Sequence, residues 1–464
     1  MWTSIDRFAN LGFGFVVGII LARILSPSDY GLLAMIAVFN SIAFVFLDSG
    51  FNAALIRKPG LTEDDRTTAF YFNIIAGVVL FGIIWMIAPL VSAFYDKPIL
   101  KPLLRAEGLL LIIVSFRIVQ NNQLRRSLNF KSLMIVRTSG NLMGGVAGII
   151  AAFSNMGVWS LVLMHITEAV VSLIMSWVIS PWRPHGHWSR ISFNYLWGFG
   201  SKLMISGLMD SIFGNISPII IGKFYSAADL GQYMRAHQYA AMPSGFLCGV
   251  LNQVSFPVLS RIQEDVERLA DNYRRILRFS VFVVFPVMMG MAALARPFVV
   301  VLVTDKWDQC VPYLQIICFS AMWYPVHSIN LSLLQVIGRS DLFLRLEVIK
   351  KILSIIVIFV CVPFGIIVLC YGSLFNAVVG LFINTYYTGK LIHVGLIKQM
   401  KDMLPSLLAS LVMMASIYLI TIPIGNDILK LAVGIPSGVV LYLFIAWLFK
   451  MPELQETIDM VRNR

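Results

Sequence analysis

Apolar stretches of membrane-crossing length follow one another along almost all of this 464-residue chain. Few folds are open to such a pattern. In hydrocarbon every backbone N–H and C=O must be satisfied inside the protein, which leaves helices and closed barrels, and a helix needs roughly 20 apolar residues to cross. Residues 5–25, 30–51 and 68–93 already supply three such stretches. Composition agrees: 58% of residues are hydrophobic and 13% charged, against roughly one quarter charged in soluble domains. The first stretch is too long for a secretory signal and lacks an A-x-A-like exit, so it reads as a retained helix.

The pattern predicts an all-α membrane protein of about fourteen helices, over 5–25, 30–51, 68–93, 103–122, 133–153, 158–179, 195–221, 232–257, 279–303, 312–337, 342–362, 366–390, 405–422 and 428–448. From Ile352 to Tyr387 there is no charge. That span is too long for one crossing, and Pro363-Phe364-Gly365 is its only breaker, so a tight hairpin is placed there. Lys and Arg concentrate in the connections after the even-numbered helices, as at Arg57, Lys58, Arg125, Arg126, Arg274 and Arg275. The other connections are poor in them, and two (Ser154–Gly157 and Pro363–Gly365) hold none. By the positive-inside rule both termini are cytoplasmic.

The net charge of +12 does not signal nucleic acid. The basic residues sit singly or in pairs between apolar segments, with no compact basic domain, and this fits a membrane surface. Cys248, Cys310, Cys318, Cys361 and Cys370 show no CxxC spacing, which argues against a disulfide framework or a zinc site. Between Arg261 and Arg278, the residues Ile262, Val266, Leu269, Tyr273 and Ile276 share one helical face. That segment reads as an amphipathic helix lying on the membrane surface and linking two halves.

A self-match at a shift of 200 residues carries more information. Ile19 to Gly31 aligns without gaps on Ile219 to Gly231, with Ile19, Ile20, Ser26, Asp29 and Gly31 recurring as Ile219, Ile220, Ser226, Asp229 and Gly231. In each copy the serine and aspartate are placed to cap the following helix. Six helices lie between the copies, so the repeat is parallel, about an axis along the membrane normal. That predicts an N-lobe over 1–190, a C-lobe over 191–400, and two further helices with a cytoplasmic tail over 401–464. The two lobes are expected to face a central cavity and to work by alternating access.

The turn Ala22-Arg23-Ile24-Leu25-Ser26-Pro27-Ser28-Asp29-Tyr30-Gly31, the segment Asp48-Ser49-Gly50-Phe51, and Phe256-Pro257-Val258-Leu259-Ser260-Arg261 resemble the polysaccharide transporter branch of the multidrug/oligosaccharidyl-lipid/polysaccharide flippase superfamily. The likeness is to the Wzx-type lipid-linked oligosaccharide flippases, nearest the colanic-acid and teichuronic-acid type, and it runs over essentially the whole chain. It implies a MATE/flippase-like 6+6+2 plan in a bacterial inner membrane. The implied substrate is an undecaprenyl-diphosphate-linked oligosaccharide, with membrane lipid, a polysaccharide polymerase and chain-length proteins as partners and no nucleic acid. Met1-Trp2 stands almost at the first helix, where relatives commonly carry a short basic tail, so a trimmed start is expected.

Ionisable residues at membrane depth are costly and therefore candidates for function. Here they are Arg7, Asp48, Arg117, His165, Glu168, Lys202, Asp210, Arg235, His237 and His327. Arg7, Arg117, Lys202 and Arg235 are the candidates for substrate binding, because a guanidinium stays charged and can donate two hydrogen bonds to a diphosphate. The resemblance implies that Arg7 is the cavity arginine of related lipid flippases. Arg117 is equally placed to snorkel to the cytoplasmic edge, and Lys202 to pair with Asp210. His165 and Glu168, three residues apart, share a helical face; with Asp48 and Asp210 they are the candidates for coupling to H+ or Na+. A structural hydrogen-bonded pair is the alternative for the first two, and a capping role for Asp48. No catalytic residue, metal or cofactor is expected.

No Walker-type G-x-x-x-x-G-K-[ST] motif occurs. Two other functions compete with a flippase: a membrane glycan polymerase, ligase or glycosyltransferase, which would need a larger outer loop than any here, and a cation-coupled drug antiporter, for which twelve helices would be expected.

Overall fold

The order of helices follows the apolar runs. The computed structural model describes residues 2–462, and side chains throughout these except at 2–9, 11, 250–254, 457, 458 and 460–462. Among the described residues there is no strand. The helices α1 (Trp2–Ile24), α2 (Pro27–Asp48), α3 (Phe51–Arg57), α4 (Glu63–Phe94), α5 (Leu100–Ser115), α6 (Ile118–Arg126), α7 (Phe130–Phe153), α8 (Trp159–Ile179) and α9 (Arg190–Phe224) precede α10 (Ala227–Ser260). There follow α11 (Val266–Ala293), α12 (Ala295–Val303), α13 (Cys310–Ala321), α14 (Tyr324–Val336), α15 (Ser340–Cys361), α16 (Ile366–Ile392), α17 (Leu396–Thr421), α18 (Asp427–Leu448) and α19 (Pro452–Arg462). Among the described residues, nine helices are long and apolar enough to cross a membrane. The predicted crossings 103–122 and 312–337 are each built as two shorter helices, interrupted at Phe116-Arg117 and Met322-Trp323. The chain divides into two compact units, Met1–Gly231 and Gln232–Arg464.

In the first unit the two copies of the repeated turn are capped alike. Ser26 Oγ accepts from the Asp29 N–H at 3.3 Å while the Asp29 carboxylate accepts from the Ser26 N–H at 2.9 Å. Ser226 and Asp229 repeat this reciprocal box at 3.1 and 3.2 Å. The copies also touch. A side chain on Gly31 would run into the Ala227 carbonyl, and one on Gly231 into that of Pro27. Because Ala227 is the counterpart of Pro27, the contact is reciprocal, as contacts about a twofold axis are. Both turns therefore emerge on the same side of the bundle.

Small residues also set the packing of α7 on α8. Gly140, Gly144 and Gly148 form a stripe along α7, where a side chain would meet Ser172, Glu168 or Met164 of α8. Such stripes let helices in a membrane approach closely. The loop after α8 is tied to the start of α4: the Ser189 N–H donates to Thr68 Oγ1 at 2.9 Å, and Trp182 Nε1 to Glu63 at 2.8 Å.

In the second unit the expected hairpin is present. A 3-10 turn over Val362–Phe364 leads into Gly365 at φ 104°, a conformation that favours glycine. Asn330, Thr388 and Gln399, all buried, form a closed amide–hydroxyl network, in which Asn330 Oδ1 accepts from Thr388 at 3.1 Å and Asn330 Nδ2 donates to Gln399 at 3.1 Å.

The segment 261–278 is not a separate surface helix. From Val266 it is the first part of α11, with no break after Arg278. Leu269, Tyr273 and Leu277 are buried by protein. Arg274 holds Asp402 of α17 through two hydrogen bonds of 2.7 Å, and Arg275 and Arg278 reach Glu456 and Glu453 of α19. The periodicity identified that face in part: Leu269 and Tyr273 are buried by protein, but Val266 is exposed at 43%. Asp402→Ala should therefore lower stability by about 1.5–3 kcal/mol, the usual net worth of hydrogen bonds to a charged group. Thermal unfolding in detergent reads it, and an unchanged midpoint would show that this contact stabilises nothing.

Candidate functional site

Helices α2, α5 and α8 line an open cavity of about 290 Å³ in the first unit. Its polar lining is Asn40 and Ser41 from α2, Glu107 from α5, His165 and Glu168 from α8, and Arg117 from the interruption between α5 and α6. Leu33, Phe44, Leu110 and Val114 make up much of its apolar wall. Of the two acids in this lining, Glu107 is the more enclosed, at 3% exposure. Its Oε1 lies 3.0 Å from His165 Nδ1, and its Oε2 accepts from Asn40 Nδ2 at 3.4 Å. Glu168 acts electrostatically on both His165 and Arg117.

The geometry follows from local structure. Arg117 is neither in α5 nor in α6: at φ −105° and ψ −9° it sits where the helix is interrupted. Glu168 is fixed by the glycine stripe, since Gly144 lies directly against it. A carboxylate this enclosed needs a partner to offset lost hydration, and His165 supplies one. Glu107 and His165 thus share a hydrogen bond, and Arg117 brings a guanidinium to the same lining.

Of the residues singled out in the sequence, Arg117, His165 and Glu168 thus line one cavity. Asp48 does not. It closes α2 and accepts from Asn52, which in turn accepts from Asn122 Nδ2 at 3.2 Å. Eight residues of helix, about 12 Å, separate it from Asn40. Lys202 and Asp210 lie on exposed positions of α9. The same spacing of about 12 Å puts them beyond the reach of an ion pair. Next to Asp210, Ser211 and Asn215 meet the cavity residue Ser41 at 3.2 and 3.1 Å. Arg235 is 5% exposed in the second unit, its guanidinium 5.1 Å from the Trp307 ring centre and 3.1 Å from Gln238. That is a packed environment, separate from the cavity that Arg117 lines. His237 is exposed on α10, and His327 is 3.1 Å from Asn384 Nδ2. The side chain of Arg7 falls outside the described residues.

Sequence reasoning missed Glu107, Asn40 and Ser41. Glu107 carried a readable signal, as the one acid in the apolar run from Leu103 to Phe116. Asn40 and Ser41 carried none, because a neutral polar residue in a predicted crossing is unexceptional.

The fold and cavity define an all-α membrane protein with a transporter architecture. Among solved structures, the lipid II flippase MurJ in an inward closed conformation matches with a TM-score of 0.78 at 15% identity, over 96% of this chain and 98% of that one. An inward-facing multidrug resistance MATE family transporter matches with a TM-score of 0.63 at 16% identity, over 82% and 94%. The chain belongs to the polysaccharide biosynthesis protein family, whose model matches residues 20–312. Its relatives include the lipopolysaccharide biosynthesis protein WzxC of Escherichia coli (24% identical, covering 76% of this chain and 72% of that one). The teichuronic acid biosynthesis protein TuaB of Bacillus subtilis is 24% identical over 74% and 71%. The succinoglycan biosynthesis transport protein ExoT of Rhizobium meliloti is 23% identical over 100% and 95%.

Proposed function

We propose that this chain is a flippase, which moves a polyprenyl-diphosphate-linked oligosaccharide from the cytoplasmic to the outer leaflet of the bacterial inner membrane for surface polysaccharide assembly. The observation that carries the reading is the charged cavity around Arg117, inside a bundle whose exterior is apolar. A lipid-linked glycan needs two environments at once. Its diphosphate and sugars need polar partners, while the tail can remain in hydrocarbon. A guanidinium meets a phosphate through two parallel hydrogen bonds and keeps its charge. The names of the relatives, which include a transport protein for succinoglycan, and the lipid II flippase fold support the same substrate class.

Coupling to H+ or Na+ belongs to the same proposal. The Glu107–His165 pair, 3.0 Å apart and sheltered, is the group we assign to it. The distribution of Lys and Arg supports cytoplasmic termini. On that reading the repeated Ser26–Asp29 and Ser226–Asp229 turns belong to the outer face. The reading involves transport without covalent chemistry.

Purified protein in liposomes that contain lipid-linked glycan tests it. The glycan should change leaflet without being elongated; elongation would point to a polymerase instead. Arg117→Ala should slow transfer about 10- to 100-fold, as loss of a charge-assisted hydrogen bond implies, with Arg117→Lys between the two. Unaltered transfer by the alanine variant would remove Arg117 from the route.

A further inference from the structure

Away from that cavity, a second pocket opens between α4 and α5, with a volume of about 510 Å³. Trp85, Lys101, Pro102, Arg105, Ala106 and Leu109 line it. We propose that it binds the phosphate of an anionic lipid headgroup, at the end of the bundle where α4 finishes and α5 begins.

Its charge is one-sided. Lys101 and Arg105 are four residues apart, so they project from one face of α5, and the lining contains no acid. Neither side chain forms an ion pair or hydrogen bond among the described residues, and the Arg105 Nε is buried without an acceptor. Both cations occupy the first two turns of α5, whose first turn holds no acidic residue. The helix dipole and their mutual repulsion both disfavour cations there. The acid in the preceding turn, Asp96, is engaged by Lys223 at 3.2 Å. An arrangement that costs stability in the bare protein is relieved by an anion.

Shape and surroundings select the kind of anion. The Arg105 guanidinium lies over Trp85, 4.2 Å from the ring centre, so its fork is held in place where a free arginine would swing. A held fork suits a phosphate. The same helix as Trp85 carries Met86 and Leu90, exposed at 68% and 70%. Tryptophan near exposed apolar side chains is typical of the headgroup level of a bilayer. The pocket is also within the size range of small-molecule sites. A ligand with an anionic head and an apolar tail satisfies both parts; free phosphate satisfies only the first. A phospholipid and a polyprenyl phosphate share this chemistry. The inference does not rest on the transport reading.

The test is native mass spectrometry of the full chain in detergent, titrated separately with phosphatidylglycerol, phosphatidylcholine, a polyprenyl phosphate and inorganic phosphate. Phosphatidylglycerol or the polyprenyl phosphate should bind, and whichever binds more tightly identifies the source. The K101Q/R105Q variant should bind it about 10- to 100-fold more weakly. Without lipid, that variant should melt at the same temperature as the parent protein or higher, because two repelling cations are gone. R105K should retain part of the affinity. Equal binding by the double variant would overturn the site. Equal binding of phosphatidylcholine would overturn its anionic character, and equal occupancy by inorganic phosphate would overturn the lipid assignment.

Discussion

Glu107→Gln should uncouple transport from a proton gradient while leaving the protein folded and able to bind its substrate. Glu107 is enclosed between α2, α5 and α8, with His165 at 3.0 Å and Asn40 at 3.4 Å. The amide keeps the shape and can still bond Asn40, but it cannot gain or lose the proton. If one proton crosses per glycan, each unit of ΔpH supports about a tenfold leaflet ratio, because one pH unit corresponds to 1.36 kcal/mol. In liposomes with an imposed gradient the parent protein should build that ratio. The Glu107→Gln protein should equilibrate the leaflets at a ratio near one, whatever the gradient. His165→Gln should behave alike, since it removes the other half of the pair. Arg117→Ala should differ, slowing transfer without abolishing its response to the gradient. A Glu107→Gln variant that still follows ΔpH would place coupling elsewhere. A sodium gradient that drives the parent protein in the absence of ΔpH would transfer the role to that ion.

Much of the fold was written in the chain's apolar runs, because hydrocarbon admits so few backbone solutions. The hairpin at Pro363-Phe364-Gly365 was legible since Gly365 takes a φ of 104°, which its neighbours would resist. The capped turns were legible since serine and aspartate have few other reasons to recur at that spacing. The interruption at Phe116-Arg117 was not. Phe116 keeps a helical φ of −69° and only Arg117 departs, at −105°, and no proline or glycine marks the place. The second interruption did leave a trace in Pro325, which stands in the first turn of α14 and fits there without cost. The long α11 was misjudged for the opposite reason. Nothing at Arg278-Phe279 ends a helix, so the amphipathic part and the apolar part are one rod, and only tertiary structure could show that α17 and α19 cover its face. For the cavity, spacing joined His165 to Glu168 because they share a helix. Glu107 and Asn40 join them only through the packing of three helices, information that periodicity in one chain segment does not contain.

Packing of the repeated turns yields the largest expected effect on stability. At Gly31 a Cβ would coincide with the backbone carbonyl of Ala227, and at Gly231 with that of Pro27. Most overpacking costs about 1–3 kcal/mol because neighbouring side chains can change rotamer. Here the obstacle is main chain on both sides, at the first turns of two capped helices, and no rotamer change relieves it. Gly31→Ala must push α2 and α10 apart or disrupt a capping box, each of which is itself worth about 0.5–2 kcal/mol. The expected loss is therefore about 3 kcal/mol or more, for a single added methyl group. Gly82→Ala in α4 provides the contrast, since a Cβ there meets nothing within 4 Å. Replacing glycine by alanine inside a helix normally stabilises by about 0.5–1 kcal/mol. The two substitutions are chemically identical, and the contact about the repeat axis alone gives them opposite signs. Thermal unfolding of both variants in detergent decides the matter: if Gly31→Ala melts at or above the temperature of Gly82→Ala, the turns do not cross backbone to backbone. Gly231→Ala should reproduce the loss seen at Gly31, because the contact is reciprocal. The double variant should cost less than the sum of the two, since separating the helices once relieves both clashes.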